Sequence, residues 1–141
     1  MTVRQFGKPI WFQVDRLREA PSRTWQLRIP DAFRPRGFWW TPPTDVFETE
    51  SGGFVRVEIA GMSRGDLDLG FADGRLVIAG SRGELGSISG GQCAMKEIAS
   101  GCFRVEVDVP WKVDTRSVRA SYVDGFLTVE LPRAGGRDPR G

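Results

Sequence analysis

The feature that most constrains this fold is an alternation of apolar and polar residues with a period of two. Phe103, Val105, Val107 and Val109 alternate with charged residues, which is the pattern of a β-strand that buries one face. Similar alternation recurs in other short runs between residues 45 and 131. We therefore predict seven strands, at 45–49, 54–60, 66–71, 75–79, 102–109, 117–122 and 126–131.

Two Asp-Gly pairs divide this region into hairpins. Asp73-Gly74 and Asp124-Gly125 each stand between two predicted strands, and such pairs supply the positive φ angles of a tight two-residue turn. No stretch with helical periodicity separates the strands. Short alternating strands joined by tight turns predict an antiparallel β-sandwich.

The first 44 residues differ in composition from this region. They hold eight Arg and Lys against three acidic residues, whereas residues 45–132 carry a net charge of −5. Six prolines break the segment, so only a short helix near residues 14–19 is predicted there. We therefore divide the chain into a basic aromatic arm (1–44), a sandwich (45–132) and a short disordered tail (133–141).

The composition argues against catalysis. Histidine is absent, which removes the commonest general base and the commonest metal ligand. We therefore expect no enzyme activity, no metal and no cofactor. No apolar run is long enough to cross a membrane and the N-terminus lacks a secretory pattern. Because Cys93 and Cys102 are the only cysteines, we expect reduced thiols and a cytoplasmic location.

The sandwich region contains motifs of a known family. Residues 120–132, ASYVDGFLTVELP, fit the signature A-x4-G-x-L-x-V-x-x-P, and residues 76–82, LVIAGSR, fit L-x-I-x-G-x-R. Gly101-Cys102-Phe103 followed by Val109-Pro110 fits a further strand of the family. With these motifs in order, residues 45–132 resemble the α-crystallin domain of the small heat shock proteins, the Hsp20 family.

The resemblance implies an immunoglobulin-like antiparallel β-sandwich and an ATP-independent holdase that binds unfolding proteins and suppresses their aggregation under stress. It also implies self-association as a dimer or larger homo-oligomer. Family members often end in an apolar I-x-I/V motif, and residues 133–141 contain none. In bacterial members the long loop, here residues 80–96, carries a strand exchanged between subunits. Its apolar residues are Leu85, Ile88 and Met95.

Two surfaces are candidates for binding non-native client proteins. The first is the set of arm aromatics, because aromatic side chains supply large contact areas; the candidates are Trp11, Phe12, Trp25, Phe38, Trp39 and Trp40. The second is a groove for strand-like segments, lined by Leu67, Leu69, Val118 and Ala120. The alternative for the arm is packing on the sandwich or on another subunit. The alternative for the groove is the sandwich core.

Two other functions remain open from the sequence. One is a CS or p23-like co-chaperone that docks on a larger ATP-driven chaperone, which the 120–132 signature disfavours. The other is a module for single-stranded nucleic acid, since the arm mixes Arg with Trp. The acidic sandwich would repel phosphates, so we expect neither a nucleic-acid nor a membrane partner.

Overall fold

The structure, a computed structural model, describes residues 10–13, 40–63, 66–83 and 90–135. These residues form eight β-strands. In chain order they are β1 (Ile10–Gln13), β2 (Thr44–Thr49), β3 (Gly52–Glu58), β4 (Leu67–Ala72), β5 (Arg75–Arg82), β6 (Gly101–Asp108), β7 (Arg119–Val123) and β8 (Phe126–Pro132).

The strands form two antiparallel sheets. The larger sheet has the order β1-β7-β8-β3-β2 and the smaller one the order β4-β5-β6. The turns between β4 and β5 and between β7 and β8 have positive φ at both central residues, 52° and 73° for Asp73-Gly74 and 49° and 82° for Asp124-Gly125. The predicted all-β sandwich and its two tight hairpins are confirmed.

The core lies between the sheets and is built from the inward-facing apolar residues of the alternating strands. Phe103 and Leu76 are fully buried on the smaller sheet, and Val55, Leu127 and Leu131 are fully buried on the larger one. Trp111 is 4% exposed. Its Nε1 donates a hydrogen bond to the Leu131 carbonyl at 2.9 Å, which satisfies the polar atom of a buried indole.

All seven predicted strands are present, with ends displaced by at most three residues. Strand β1 was not predicted. The short helix predicted at 14–19 and the tail from residue 136 onwards lie outside the described residues. The described part of the chain contains no helix that is long and apolar enough to span a membrane.

Candidate functional site

Strand β7 is the place where the N-terminal segment meets the sandwich. β1 pairs antiparallel with it, so that Ile10 is opposite Tyr122 and Phe12 is opposite Ala120. β8 pairs with the other side of β7. Ser121 alternates with the core residue Ala120 and so lies on the outer face, yet it is only 3% exposed. Because β7 pairs with β1 on one side and with β8 on the other, it is an inner strand of the larger sheet.

The four residues of the predicted groove lie in or beside the core. Val118 and Ala120 are fully buried members of the core cluster. Leu67 and Leu69 on β4 are partly buried and pack against the same cluster. The apolar side chains of these four residues therefore contribute to the sandwich core or pack against it.

Trp40 is anchored to the sandwich. Its backbone pairs with β6, donating from its N–H to the Cys102 carbonyl and accepting from the Arg104 N–H, both at 3.2 Å. Its ring lies 5.4 Å from the Phe103 ring, and its Nε1 donates to the Gly101 carbonyl at 3.2 Å. The half-buried indole is part of the sandwich rather than of a free segment.

Arg82, the last residue of the L-x-I-x-G-x-R motif, connects three parts of the chain. Its guanidinium lies 4.4 Å from the centroid of the Trp40 ring. It donates to the Ala99 carbonyl through Nε at 3.0 Å and through Nη2 at 2.5 Å. Its Nη1 donates to the Ala60 carbonyl at 3.3 Å. One side chain thus holds the segment before β2, the end of the long loop and the β3–β4 connection together.

Strand β2 forms the opposite end of the larger sheet and carries exposed apolar residues. Val46 and Phe47 are each 44% exposed. The Phe47 ring stacks on Phe54 at a centroid distance of 4.7 Å, and the Arg56 guanidinium lies 5.3 Å from the Phe54 centroid. Among the described strands β2 pairs only with β3, so its other backbone edge is open.

A cleft of about 940 Å³ lies between the β2 edge and β6. Thr41, Pro42, Thr44 and Val46 line one side, and residues 104–108 line the other. Arg104 pairs with Glu106 at 2.5 Å, while its Nε is buried and has no hydrogen-bond partner. The cleft is therefore bordered by β2 and β6, and the residues that line it include Arg104 with its unpaired Nε.

Charged residues cover the end of the smaller sheet. Arg75 donates from Nε to Asp108 at 3.0 Å and from Nη1 to Glu106 at 3.2 Å. The hydrogen bond to Asp108 and its negative charge raise the pKa of the Arg75 guanidinium, and the charge of Glu106 adds to this effect. Because all three side chains are well exposed, the arrangement is a solvated charge network rather than a chemical site.

The loop before β6 is exposed where it is described. Met95 is 78% exposed and Ile98 is 65% exposed. Leu85 and Ile88, predicted with Met95 to contact another subunit, lie outside the described residues. Trp25, Phe38 and Trp39 of the arm also lie outside them. The structure therefore brings Trp11, Phe12 and Trp40 to the sandwich by their backbones and leaves Met95 in solvent.

Comparison with known proteins identifies the family of this sandwich. Residues 45–140 match the model of the Hsp20/alpha crystallin family. The chain belongs to this family. It is 30% identical over 93 residues to small heat shock protein C4 of Rickettsia felis, covering 66% of this chain and 57% of that protein. It is also 30% identical over 96 residues to heat shock protein 16 of Schizosaccharomyces pombe, covering 66% of each.

The solved structures agree with this membership in the small heat shock proteins. Heat shock protein 16.0 from S. pombe superposes with a TM-score of 0.63 at 28% identity, over 72% of this chain and 94% of that one. The chain spans less than two thirds of the length of the two Rickettsia felis relatives that it matches. The resemblance stated from residues 76–82, 101–110 and 120–132 is confirmed.

Sequence reasoning missed two features of this small heat shock protein. The apolar run Ile10-Trp11-Phe12 is the available signal for β1, but it is short and flanked by Pro9, so its composition places it with the arm. The contacts of Arg82 could not be found from spacing, because Trp40, Ala60 and Ala99 are distant from it in the chain.

Proposed function

We propose that this small heat shock protein is an ATP-independent holdase that binds unfolding proteins and suppresses their aggregation under stress. Membership in the Hsp20/alpha crystallin family carries the proposal. The exposed apolar residues of the described chain, among them Val46 and Phe47 on β2 and Met95 and Ile98 in the loop before β6, support it. A holdase needs such surface on a body that remains folded.

The energetics of such binding favour reversible capture. Burial of roughly 300–600 Å² of apolar surface on a client would contribute roughly 7–15 kcal/mol before costs. Ordering of both partners and loss of translational freedom offset several kcal/mol of this. The remaining affinity would hold a client long enough to compete with aggregation and release it without nucleotide hydrolysis.

The arm aromatics supply the client-contacting groups in this proposal. Trp11 and Phe12 lie on β1, and Trp40 contributes to the sandwich itself, so the residues to test are Trp25, Phe38 and Trp39. Replacing these three with Ser removes apolar area while it leaves the described anchor at Trp40 intact. Three substitutions to Ser at Thr2, Gln5 and Thr24 form a matched control.

The test heats a labile client with stoichiometric protein and follows light scattering. We expect the wild type and the control to suppress scattering, and the triple aromatic variant to do so less well. If the wild type leaves scattering unchanged, the holdase proposal is wrong. If the aromatic variant protects as well as the wild type, the arm has no role in capture and other surfaces carry it.

Self-association through the open β2 edge is part of the proposal. Unpaired sheet edges are templates for strand addition from another chain, and Val46 lies on that edge beside the cleft. The exposed segment around Met95 is a candidate for the added strand. Neither Cys93, which is exposed, nor Cys102, which is buried, forms a disulfide, which supports a reducing compartment such as the cytoplasm in this proposal.

A further inference from the structure

The Trp40 indole contacts two side chains of the smaller sheet. The Arg82 guanidinium lies 4.4 Å from the centroid of its ring, and the centroid of the Phe103 ring lies 5.4 Å away on a plane tilted by 57°. Its Nε1 donates to the Gly101 carbonyl and its N–H donates to the Cys102 carbonyl, both at 3.2 Å. Trp40 is therefore the position at which the segment before β2 is fixed to β5 and β6.

The same guanidinium holds the end of the loop before β6. Residues 90–98 of this loop are all exposed, whereas Ala99 and Ser100 are half-buried. Arg82 donates to the Ala99 carbonyl from Nε at 3.0 Å and from Nη2 at 2.5 Å. Two donors on one oxygen make Ala99 the point where the loop returns to the sandwich.

The orientation of one planar group determines both sets of contacts. The guanidinium presents its donors in a rigid fork, and its face stacks on the aromatic ring of Trp40. The bonds to Ala99 and Ala60 go to main-chain carbonyls, so they position the backbone of the loop whatever its side chains are. A change of the Arg82 rotamer would therefore break the contacts to Trp40 and to Ala99 together.

We propose that Arg82 is a positioning residue that couples the segment before β2 to the loop before β6. The Trp40 ring keeps the guanidinium in the orientation that holds Ala99, so withdrawal of Trp40 weakens the hold on the loop. Because coupling is reciprocal, release of the loop weakens the hold on Trp40 by the same factor.

This inference rests on the proposed function and deepens it by assigning its regulation. In that proposal the arm contacts clients, and the segment around Met95 contacts another subunit. Trp40 is the end of the arm, and Met95 lies in the loop that Arg82 holds at Ala99. A client that displaces the arm at Trp40 therefore frees the loop and changes the subunit contact.

A spin label beside Ala99 reports whether the loop is held. Ile98 is 65% exposed, so a nitroxide attached to Ile98→Cys in the full-length chain leaves the contact at Ala99 in place. The background carries Cys93→Ser because Cys93 is exposed, and Cys102 is buried and does not compete for the label. The readout is the ratio of mobile to immobile label in the electron paramagnetic resonance spectrum.

A double-mutant cycle on this labelled parent separates coupling from independent effects. We expect Trp40→Leu to raise the ratio about two- to five-fold, the factor that a cation–π contact contributes to an equilibrium. Arg82→Met should raise the ratio at least as much, and Trp40→Leu should add nothing to Arg82→Met. Trp40→Leu without effect, or two effects that multiply in the double variant, would overturn the inference.

Three further variants keep the cycle decisive. Trp40→Phe retains an aromatic ring for the guanidinium and should leave the ratio near that of the parent. Phe47→Leu removes an exposed ring from β2, the end strand of the larger sheet, and should leave the ratio unchanged. Equal increases in Trp40→Leu and Phe47→Leu would show a general loosening and would overturn the coupling. If Trp40→Leu unfolds, Trp40→Met takes its place in the cycle, because it fills apolar space without a ring.

Adding a heated client distinguishes failure of this inference from failure of the proposed function. We expect the client to raise the ratio in the labelled parent and to change it less in Arg82→Met, where the hold on the loop is already weakened. Suppressed aggregation with an unchanged ratio in the parent would overturn the coupling and leave the holdase function standing. A parent that does not suppress aggregation would overturn the holdase function, and the cycle would still decide whether Trp40 and Arg82 act together.

Discussion

The Arg82 guanidinium lies 4.4 Å from the centroid of the Trp40 ring, although 42 positions separate the two residues in numbering. The same guanidinium donates to the carbonyls of Ala99 and Ala60. The family motif that ends in Arg82 therefore serves to close one end of the sandwich. It holds the segment before β2 and the end of the loop before β6 against the sandwich.

Removing this contact should destabilise the sandwich. We expect Arg82→Ala to lower the free energy of unfolding by about 2 kcal/mol, since hydrogen bonds from charged groups and a cation–π contact are lost together. Arg82→Lys keeps the charge but lacks the planar guanidinium that donates from three nitrogens and stacks on Trp40, so its loss should be about half as large. Urea unfolding followed by tryptophan fluorescence measures both. Arg116→Ala, in an exposed turn, is the control, and equal effects of Arg82→Ala and Arg116→Ala would contradict the prediction.

Gly80 of the same motif is required by close packing. A Cβ at this position would collide with the Asp66 carbonyl and would lie 2.8 Å from Cζ of Phe103. We expect Gly80→Ala to cost about 1–3 kcal/mol, the range of overpacked cores. Gly83→Ala is a matched control because a Cβ added at Gly83 would have no neighbouring atom within 4 Å. The melting temperatures of the two variants test this prediction. Equal values would contradict it and would show that the core around Gly80 can accommodate a methyl group.

The Tyr122 hydroxyl supports the connection that follows β3. It is both donor and acceptor there, to Ile59 and from Met62. Tyr122→Phe leaves these backbone groups without that partner and should cost about 1–2 kcal/mol. Thr115→Ala, at an exposed position, should change stability by less than about 0.5 kcal/mol. We expect hydrogen exchange at the Met62 amide to be faster in Tyr122→Phe and unchanged in Thr115→Ala. Unchanged exchange in Tyr122→Phe would contradict a role for the hydroxyl at this connection.

The strands were predictable because burial of one face imposes a period of two. Val105 and Val107 alternate with Arg104 and Glu106, and no packing information is needed to read that pattern. The hairpin turns were predictable for a similarly local reason, since Asp124-Gly125 supplies its own backbone preference.

The remaining features depend on contacts between distant residues. Trp39 and Trp40 are identical neighbours in the sequence, so composition alone could not indicate that Trp40 pairs with β6 and contacts Arg82. The sequence alone does not indicate whether the groove residues Val118 and Ala120 lie in the core or at the surface, because this depends on where the second sheet packs. Strand β1 requires the β7 edge as a template, and four residues carry too little periodicity to indicate it.

The Arg75 network should respond to salt rather than to pH near neutrality. Because the pKa of Arg75 is raised in the folded state, its contribution is present below the ordinary pKa of arginine and is lost only above it, so it is constant between about pH 6 and 9. Salt screens exposed pairs such as Arg75–Asp108. We expect the difference in melting temperature between wild type and Arg75→Gln to shrink from about 0.05 to about 1 M NaCl. A difference that is unaffected by salt would assign the effect to packing of the Arg75 stem instead.

Self-association is predicted to depend on the β2 edge. Val46 is 44% exposed and lies on β2, the end strand of the larger sheet, where it lines the cleft. Lysine on an edge strand opposes strand addition because its charge would have to be desolvated between two chains. We therefore expect Val46→Lys to reduce the assembly mass measured by light scattering on a sizing column, with little change in the stability of the monomer. Thr115→Lys places the same charge in an exposed turn and should leave the mass unchanged. If both variants elute as the wild type does, the subunits meet through another surface, and the prediction for the β2 edge is wrong.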